Sequence, residues 1–263
     1  MKKAILVTGS SHGIGAATAI AFAKDGYNVG INYHKTPDGA HEVAKECREF
    51  GVDVQVYGAD VSKSEDCERM LNAFIDYFGK IDVLVNNAGG ALKIPKGGFV
   101  DMPVEYWDSQ IALNLSAAAY CSRIAAKDMI NKGVRGSIIN ISSVHSQITW
   151  VRRKALPYSA GKAGLNMFTK SIGVELIKHG INVNCIAPGL VFTKIMDRYS
   201  PKDLEGFRRR IPFGDGARAE DIVPMIQFLA DKEKSRFIVG QTIFIDGGQS
   251  IDGVIDNMLE DEF

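Results

Sequence analysis

The sequence lacks an excess of charge of either sign, because 31 Lys and Arg residues balance 31 Asp and Glu residues among 263 positions. A balanced chain has no global field that would attract nucleic acid or an anionic membrane surface. It also lacks an apolar run of the roughly 18 residues that a membrane-spanning helix needs. The apolar stretch at 4–7 is too short for a signal peptide and ends at Thr8. We therefore expect a cytoplasmic protein without nucleic-acid or membrane partners.

Cysteine and paired histidine are also scarce. The four cysteines are Cys47, Cys67, Cys121 and Cys185, and none belongs to a C-x-x-C pair. This spacing argues against a zinc site or a redox dithiol and predicts reduced, buried thiols of the kind found in the cytoplasm. The five histidines form no H-x-x-x-H or H-x-x-x-x-H pair. We therefore expect no catalytic metal.

The sequence contains no internal repeat, low-complexity segment or linker that would divide it. Instead, short apolar runs alternate with longer stretches of helical periodicity. The predicted strands are 4–8, 28–33, 52–57, 81–86, 136–142, 181–186 and 241–246, and the predicted helices are 14–24, 37–50, 64–78, 103–131, 158–178 and 220–230. Because the strands are continuously apolar, they are expected to be buried on both faces. The pattern predicts a single α/β domain of residues 1–263, with a doubly wound, seven-stranded parallel sheet and helices on both faces.

Two segments depart from this alternation. Residues 190–218 lack a clear strand and mix proline, glycine and basic residues, so we expect a substrate loop. Residues 249–263 form an apolar tail that ends in acidic residues. For this tail, docking on a neighbouring subunit is favoured slightly over fraying.

A glycine-rich turn joins the first strand to the first helix. Gly9 permits the tight turn, Gly13 lets the backbone approach a pyrophosphate, and Gly15 allows close packing of the helix. The helix then presents free N–H groups to the phosphates. The turn predicts a dinucleotide site with contacts from Gly9, Ser11, His12, Gly13, Ile14 and Gly15.

The spacing of this turn, T-G-x-x-x-G-x-G, is accompanied by further motifs along nearly the whole chain. They are Asn86-Asn87-Ala88-Gly89, Asn114, Ser143, Tyr158 with Lys162, Pro188-Gly189 and Asp246-Gly247-Gly248. Together they resemble the short-chain dehydrogenase/reductase family. The resemblance implies a Rossmann fold and an NAD(P)(H)-dependent oxidoreductase that moves a hydride between nicotinamide and a secondary alcohol or ketone. It also implies a homotetramer or homodimer built through the long middle helices and the final strand.

The resemblance assigns further cofactor contacts. Asp60, next to Val61, would bond the adenine amino group, although a turn former at a strand end explains Asp60 equally well. The turn that contains Asn87, Ala88 and Gly89 would support the sheet edge beside the adenosine. Pro188 and Gly189 are also expected contacts. Thr193, shortly after them, would contact the nicotinamide carboxamide or a phosphate.

The residues after the second strand decide between NAD and NADP. The strand ends in Tyr33, His34 and Lys35, and no acid is present to bond the ribose hydroxyls. A basic side chain there pairs with a 2′-phosphate, and His12 occupies a position where family members that use NADP often carry Arg or Lys. We expect NADP to be preferred and NAD to remain possible. The alternative is that Lys35 is a solvated surface charge.

Hydride transfer to a ketone leaves an alkoxide unless a proton arrives, so the site needs a general acid. Tyr158 and Lys162 stand four residues apart on one helix face. The ammonium group is expected to depress the pKa of Tyr158 below its reference of about 10. By resemblance, Lys162 also bonds the nicotinamide ribose, Ser143 donates to the substrate oxygen, and Asn114 kinks a helix and holds a water that links Lys162 to solvent.

Fifteen positions separate Ser143 from Tyr158, slightly more than is common in the family. The extra residues fall at 150–154, which include Arg152, Arg153 and Lys154. These cations would recognise a carboxylate or phosphate on the substrate, but a solvated charge run is the commoner explanation. His145 is expected to be a hydrogen-bonding loop residue, with substrate contact as the alternative.

The substrate is less sharply indicated. Ser142-Ser143-Val144-His145, Trp150 and Asn32-Tyr33 are similar to bacterial glucose 1-dehydrogenases and related sugar or polyol dehydrogenases. Asn32-Tyr33 also occurs in 3-oxoacyl carrier-protein reductases, and the apolar side of 190–218 would suit a hydroxysteroid. A non-catalytic dinucleotide-binding regulator is the alternative from another class. The presence of Tyr158 argues against it, because a binder needs no general acid.

Overall fold

The computed structural model describes residues 2–92, 98–149, 156–193 and 200–251. The strands are β1 (Ala4–Val7), β2 (Asn28–Tyr33), β3 (Val54–Gly58), β4 (Val83–Asn86), β5 (Ser137–Ile141), β6 (Asn182–Pro188), β7 (Val191–Phe192), β8 (Ala217–Arg218) and β9 (Thr242–Ile245). The helices are α1 (Gly13–Lys24), α2 (Asp38–Arg48), α3 (Ser64–Phe78), α4 (Val104–Ile111), α5 (Ala117–Asn131), α6 (Leu156–Leu176), α7 (Pro201–Arg208), α8 (Ala219–Ala230) and α9 (Lys232–Ser235). No helix in these ranges is both long and apolar enough to cross a membrane.

The central sheet has seven parallel strands in the order β3-β2-β1-β4-β5-β6-β9. The prediction of a seven-stranded doubly wound sheet with helices on both faces is therefore confirmed. The direction of winding reverses between β1 and β4. In open α/β sheets a ligand binds outside the carboxyl ends of the strands at such a reversal.

Both faces of the sheet are buried, which explains why the strands are continuously apolar. Ile5 belongs to a cluster that includes Phe22 of α1, whereas the next residue, Leu6, belongs to a second cluster that includes Phe74 of α3. Consecutive side chains of a strand point to opposite faces. Each residue of β1 therefore needs an apolar side chain, and the two clusters place helices on opposite sides of the sheet.

The predicted helix 103–131 is two helices. A π-helical turn, Ala112–Ser116, separates α4 from α5 and contains Asn114. The Asn114 side chain donates to the Gln110 carbonyl oxygen at 3.0 Å, so it competes for a backbone acceptor within the helix. Single π-helical turns are frequent at functional sites. Apolar periodicity on either side concealed this interruption.

The expectation that 190–218 lacks a strand is wrong at both ends of the segment. Strands β7 and β8 pair in parallel, with Val191 opposite Ala217. Two-residue strands are too short to produce a readable periodicity. Between them, α7 begins with a capping box in which Ser200 and Asp203 bond each other's backbone N–H. Residues 194–199 and the tail from 252 onward lie outside the described residues.

Candidate active site

The predicted site residues converge on the carboxyl edge of the sheet. The glycine turn follows β1, Tyr33 to Lys35 end or follow β2, and Asp60 and Val61 follow β3. Asn87 to Gly89 follow β4, Ser143 follows β5, and Pro188 ends β6. Parallel strands end at one edge, so segments far apart in sequence meet there.

The glycine turn has the backbone that its sequence predicts. Gly9 and Gly13 adopt φ values of +61° and +59°, a region that favours glycine. A Cβ at Gly13 would lie 3.2 Å from Cγ2 of Thr193, so the structure brings Thr193 against this turn. His12 precedes α1 without capping it through its side chain. The first N–H groups of α1 thus remain available to a pyrophosphate, and the residues present fit a dinucleotide.

Asn32 and Thr8 hold this turn, and sequence reasoning assigned neither a role. The buried Asn32 accepts from the Gly9 N–H through Oδ1 at 2.9 Å and donates to the Ala59 carbonyl oxygen. The Thr8 hydroxyl accepts from the backbone N–H groups of Asn87 and Ala88, both at 3.0 Å. The sequence feature that could have identified both is a polar residue inside an apolar strand, as for Asn32, or directly after one, as for Thr8.

The ribose side of the site contains two exposed basic side chains, His34 and Lys35. His34 Nε2 lies 3.4 Å from Oδ2 of Asp60. The other carboxylate oxygen of Asp60 accepts from the Ser62 N–H and hydroxyl, which is the arrangement of a turn former. Burial alone would raise the pKa of Asp60, but the Ser62 hydrogen bonds and His34 outweigh burial and lower it. Asp60 thus remains an acceptor at neutral pH.

Ser143 and Tyr158 form the polar centre of the chemical end. Their side chains are hydrogen-bonded to each other. The Ser143 hydroxyl also accepts from the His145 N–H at 3.2 Å. Ser143 is buried, whereas Tyr158 is partly exposed. A serine and a phenol that share a hydrogen bond at a strand end can address one substrate oxygen together.

Lys162 lies directly behind this pair. Its side chain is only 3% exposed, and its Nζ donates to the Ile141 carbonyl oxygen at 2.7 Å. Burial lowers the pKa of Lys162 to about 8. A Cβ at Gly89 would lie 2.9 Å from Lys162 Nζ and 3.0 Å from Oδ1 of Asn114. The absence of a side chain at Gly89 therefore leaves room for Lys162 and Asn114 beside the turn after β4.

The expectation that Lys162 depresses the pKa of Tyr158 is wrong for this structure. Burial raises the pKa of Tyr158, and the hydrogen bond from Ser143 only partly opposes this. The ammonium of Lys162 lies 5.9 Å from the Tyr158 ring centroid. Burial also disfavours the charge on Lys162. Desolvation of both groups therefore outweighs the expected attraction between the Lys162 ammonium and a Tyr158 phenolate.

Asn114 and His145 complete the surroundings. Asn114 pairs with the backbone of Gly90, accepting from its N–H at 2.9 Å and donating to its carbonyl oxygen at 3.2 Å. Nδ1 of His145 lies 3.3 Å from the Ile148 carbonyl oxygen, which confirms His145 as a hydrogen-bonding loop residue. Its ring also stands edge-on to the ring of Tyr158 at 6.3 Å.

Several predicted features fall elsewhere. Trp150 and the cations Arg152, Arg153 and Lys154 lie outside the described residues. Gly189 is described: its N–H donates to the Ile245 carbonyl oxygen at 2.9 Å, so the end of β6 is tied to β9. Within the described ranges, no three His, Cys, Asp or Glu residues are grouped as metal ligands, and the four cysteines are buried, free thiols.

Removing the buried ammonium should stabilise the protein while abolishing its chemistry. The folded-state pKa of Lys162, about 8, lies below the ordinary value of 10.5. Burial of the charge therefore costs stability in full below pH 8, and the cost disappears as the pH rises from 8 to 10.5. In the wild type this cost is about 3 kcal/mol. The Met variant avoids it but loses the hydrogen bond to Ile141, which reduces its gain in stability by about 1 kcal/mol. Lys162→Met should raise the melting temperature without cofactor by a few degrees at pH 7.

Thermal unfolding at pH 7 and pH 10 measures this effect. The difference between Lys162→Met and wild type should shrink at the higher pH, whereas Lys170→Met, at an exposed position of the same helix, should show no difference at either pH. Equal stabilisation at both pH values would show that the buried charge is not its source.

Comparisons with known proteins cover nearly the whole chain. A family model described as enoyl-(acyl carrier protein) reductase matches residues 9–250. Glucose 1-dehydrogenase 2 of Bacillus subtilis (strain 168) is 34% identical over 252 residues, which are 95% of each chain. The 3beta-hydroxysteroid dehydrogenase 1 of Eggerthella lenta is 36% identical over 251 residues, 95% of this chain and 94% of that relative.

A solved structure extends the likeness to three dimensions. The chain matches a variant of actinorhodin polyketide ketoreductase with NADPH at a TM-score of 0.86 and 29% sequence identity. The match covers 95% of this chain and 98% of the ketoreductase chain. The fold of this chain thus occurs in a protein of known structure over nearly its whole length.

Proposed function

Because the chain belongs to the short-chain dehydrogenase/reductase family of oxidoreductases acting on alcohol and ketone groups, we propose that it interconverts a sugar or polyol and its oxidised form with NADP. The observation that carries this proposal is the hydrogen-bonded pair Ser143–Tyr158 in front of the buried Lys162. This arrangement supplies a proton donor and an oxyanion stabiliser beside the proposed cofactor site.

The four candidate catalytic residues each have a proposed part in the reaction. NADP, when bound, supplies or accepts the hydride. Tyr158 exchanges the proton of the substrate hydroxyl, and Ser143 donates to the substrate oxygen as negative charge develops on it. Lys162 holds the nicotinamide ribose and returns a proton toward Tyr158. Asn114, anchored to Gly90, keeps the π-helical turn beside Lys162 in place.

The proposed cofactor contacts extend along the same edge. They are Gly9, Ser11, His12, Gly13, Ile14, Gly15, Tyr33, His34, Lys35, Asp60, Val61, Asn87, Ala88, Gly89, Tyr158, Lys162, Pro188, Gly189 and Thr193. Preference for NADP is supported by the exposed side chains of Lys35 and His34, which lie together at the end of β2. A 2′-phosphate near these two side chains would replace water with charge-assisted hydrogen bonds. NAD remains a possible second cofactor.

A sugar or polyol is supported by the name of the Bacillus relative and by Ser142-Ser143-Val144-His145. A hydroxysteroid is the second candidate, supported by the Eggerthella relative. The partly buried Val191 and Phe192 give the described start of the substrate loop an apolar surface that would suit a steroid. The family model's description keeps acyl carrier-protein thioesters in the comparison set.

A spectrophotometric panel tests the proposal. NADPH and NADH, with their oxidised forms, are offered with D-glucose, polyols, acetoacetyl thioesters and hydroxysteroids. We expect the highest kcat/KM with glucose or a polyol, and a lower KM for NADP⁺ than for NAD⁺. Turnover confined to steroids or thioesters would replace the substrate assignment, and a lower KM for NAD⁺ would refute the cofactor preference.

We also propose that residues 1–263 form one domain and assemble as a homotetramer or homodimer in the cytoplasm. A groove of 350 Å³ between α5 and α6, which includes Ile130 and Phe168, supports association through these helices, and Val174 on α6 is exposed. Four free thiols are consistent with a reducing compartment. Sedimentation velocity that finds only monomers would contradict the assembly.

A further inference from the structure

Helix α6 carries a third polar side chain in line with Tyr158 and Lys162. Tyr158, Lys162 and Asn166 follow one another at intervals of four residues. Side chains at this spacing lie on one face of a helix. Asn166 therefore points toward the same loop after β5 that carries Ser143, one turn deeper than Lys162.

Two hydrogen bonds lead from Asn166 to Ser143. Nδ2 of Asn166 donates to the Ser146 hydroxyl at 2.8 Å, and the Ser146 hydroxyl donates to the Ser143 carbonyl oxygen at 2.7 Å. The Ser146 hydroxyl has one proton, which it uses toward Ser143, so it needs a donor as its other partner. The amide of Asn166 provides that donor, while Oδ1 of Asn166 faces the Cys185 thiol at 3.6 Å.

The two hydrogen bonds that lead from Asn166 through Ser146 act on the turn that orients the Ser143 hydroxyl. Residues Val144–Ser146 form one turn of 3₁₀ helix that Ser143 caps through its own side chain. The backbone N–H of Ser146 donates to the Ser143 carbonyl oxygen at 2.9 Å, so this carbonyl accepts both the N–H and the hydroxyl of Ser146. Loss of the hydroxyl contact leaves the Ser143 carbonyl oxygen with the 3₁₀-type hydrogen bond from the Ser146 N–H, whose geometry is weaker than that of an α-helix.

Other contacts keep α6 against β5 without Asn166. The Ser142 hydroxyl donates to the Lys162 carbonyl oxygen at 3.1 Å, and Lys162 Nζ donates to the Ile141 carbonyl oxygen. A change at Asn166 thus leaves the helix docked and Lys162 bonded. Its effect falls on the turn that begins at Ser143 and on the long contact with the Cys185 thiol.

We propose that Asn166 is a positioning residue that holds the Ser143 hydroxyl in its productive orientation through Ser146. The inference rests on the proposed function, since it assumes that Ser143 bonds the substrate oxygen. Misplacement of a polar group by about 1 Å costs up to about a hundredfold in rate. We expect Asn166→Leu and Ser146→Ala each to lower kcat about tenfold, with KM for the cofactor unchanged.

A double-mutant cycle with Ser143→Ala tests the inference on whichever panel substrate the wild type turns over. Residues that act as one unit show non-additive effects, so Ser143→Ala/Asn166→Leu should be no slower than Ser143→Ala. Ser146→Thr keeps the hydroxyl and should retain kcat. Ser171→Ala is the matched control, because the exposed Ser171 lies on the same helix and its hydroxyl donates to the Met167 carbonyl oxygen of that helix.

Amide hydrogen exchange of the peptide spanning 141–149 provides a readout that needs no substrate. Asn166→Leu should speed exchange there and leave 156–165 protected. Wild-type kcat in Asn166→Leu, additive losses in the cycle, or unchanged exchange at 141–149 would each overturn the inference. Full activity of Ser143→Ala would instead refute the proposed role of Ser143, and the exchange measurement alone would then decide whether Asn166 orders the turn.

Discussion

Tyr158→Phe should lose nearly all turnover and keep its cofactor. The variant retains the ring that faces His145 and Lys162 but lacks the hydroxyl that bonds Ser143. Without a positioned acid, the developing alkoxide must take its proton from water, and general acid catalysis contributes about 10²- to 10⁴-fold. We expect kcat to fall by about a thousandfold. Fluorescence titration with NADPH should give a dissociation constant within about threefold of wild type, less than the tenfold that 1.4 kcal/mol represents, because the glycine turn, Lys162 and the ring of residue 158 are all retained.

Tyr77→Phe is the matched control, because Tyr77 is an exposed tyrosine on α3 that contacts the ring of Phe78. It should behave as wild type in both assays. Retained turnover in Tyr158→Phe would assign the proton to another group. Absence of turnover in the wild type, with tight NADPH binding, would favour the non-catalytic regulator instead.

Gly15→Ala should disrupt cofactor binding and destabilise the fold. A Cβ at Gly15 would lie 2.5 Å from Asn87 Nδ2, 2.6 Å from the Gly9 carbonyl oxygen and 2.9 Å from Ser10 Cα. Two of these atoms belong to the backbone of the glycine turn, so the turn itself must move. Overpacking of this kind costs about 1–3 kcal/mol. We expect a melting temperature lower by several degrees and NADPH affinity lower by at least about tenfold, the factor that 1.4 kcal/mol represents.

Gly206→Ala provides the control for this substitution. Gly206 lies in α7, and a Cβ there would meet nothing within 4 Å. Alanine in a helix is favoured over glycine by about 0.5–1 kcal/mol, so this variant should be at least as stable as wild type and bind NADPH normally. A Gly15→Ala protein with wild-type affinity for NADPH would show that the turn after β1 does not bind the pyrophosphate.

The framework of the protein could be predicted because its signals are local. The central strand β1 is buried on both faces, so Ala4 to Val7 must all be apolar, and such runs reveal a parallel sheet without any knowledge of strand partners. The positive φ values of Gly9 and Gly13 likewise suit residues that carry no Cβ. The four-residue spacing of Tyr158 and Lys162 places both on one helix face in any fold.

Properties that depend on through-space neighbours could not be predicted in this way. The pKa of Tyr158 follows from how deeply its hydroxyl is desolvated, and the sequence shows only the lysine four residues away. The π-helical turn places Asn114 against Gly90, a residue 24 positions away in the segment between β4 and α4. Strands β7 and β8 exist because Val191 and Ala217 are brought side by side, not because either segment has a periodicity.

The sequence by itself determined the sheet, the glycine turn and the identity of the groups at its carboxyl edge, since periodicity and backbone freedom are properties of neighbouring residues. Only the tertiary structure decided how those groups are held. Asn32 supports the turn across 23 positions and Asn166 reaches Ser146 across 20 positions. Hydrogen bonds between distant segments and the loss of solvent around a charge exist only once the chain has folded, because both are set by distance in space.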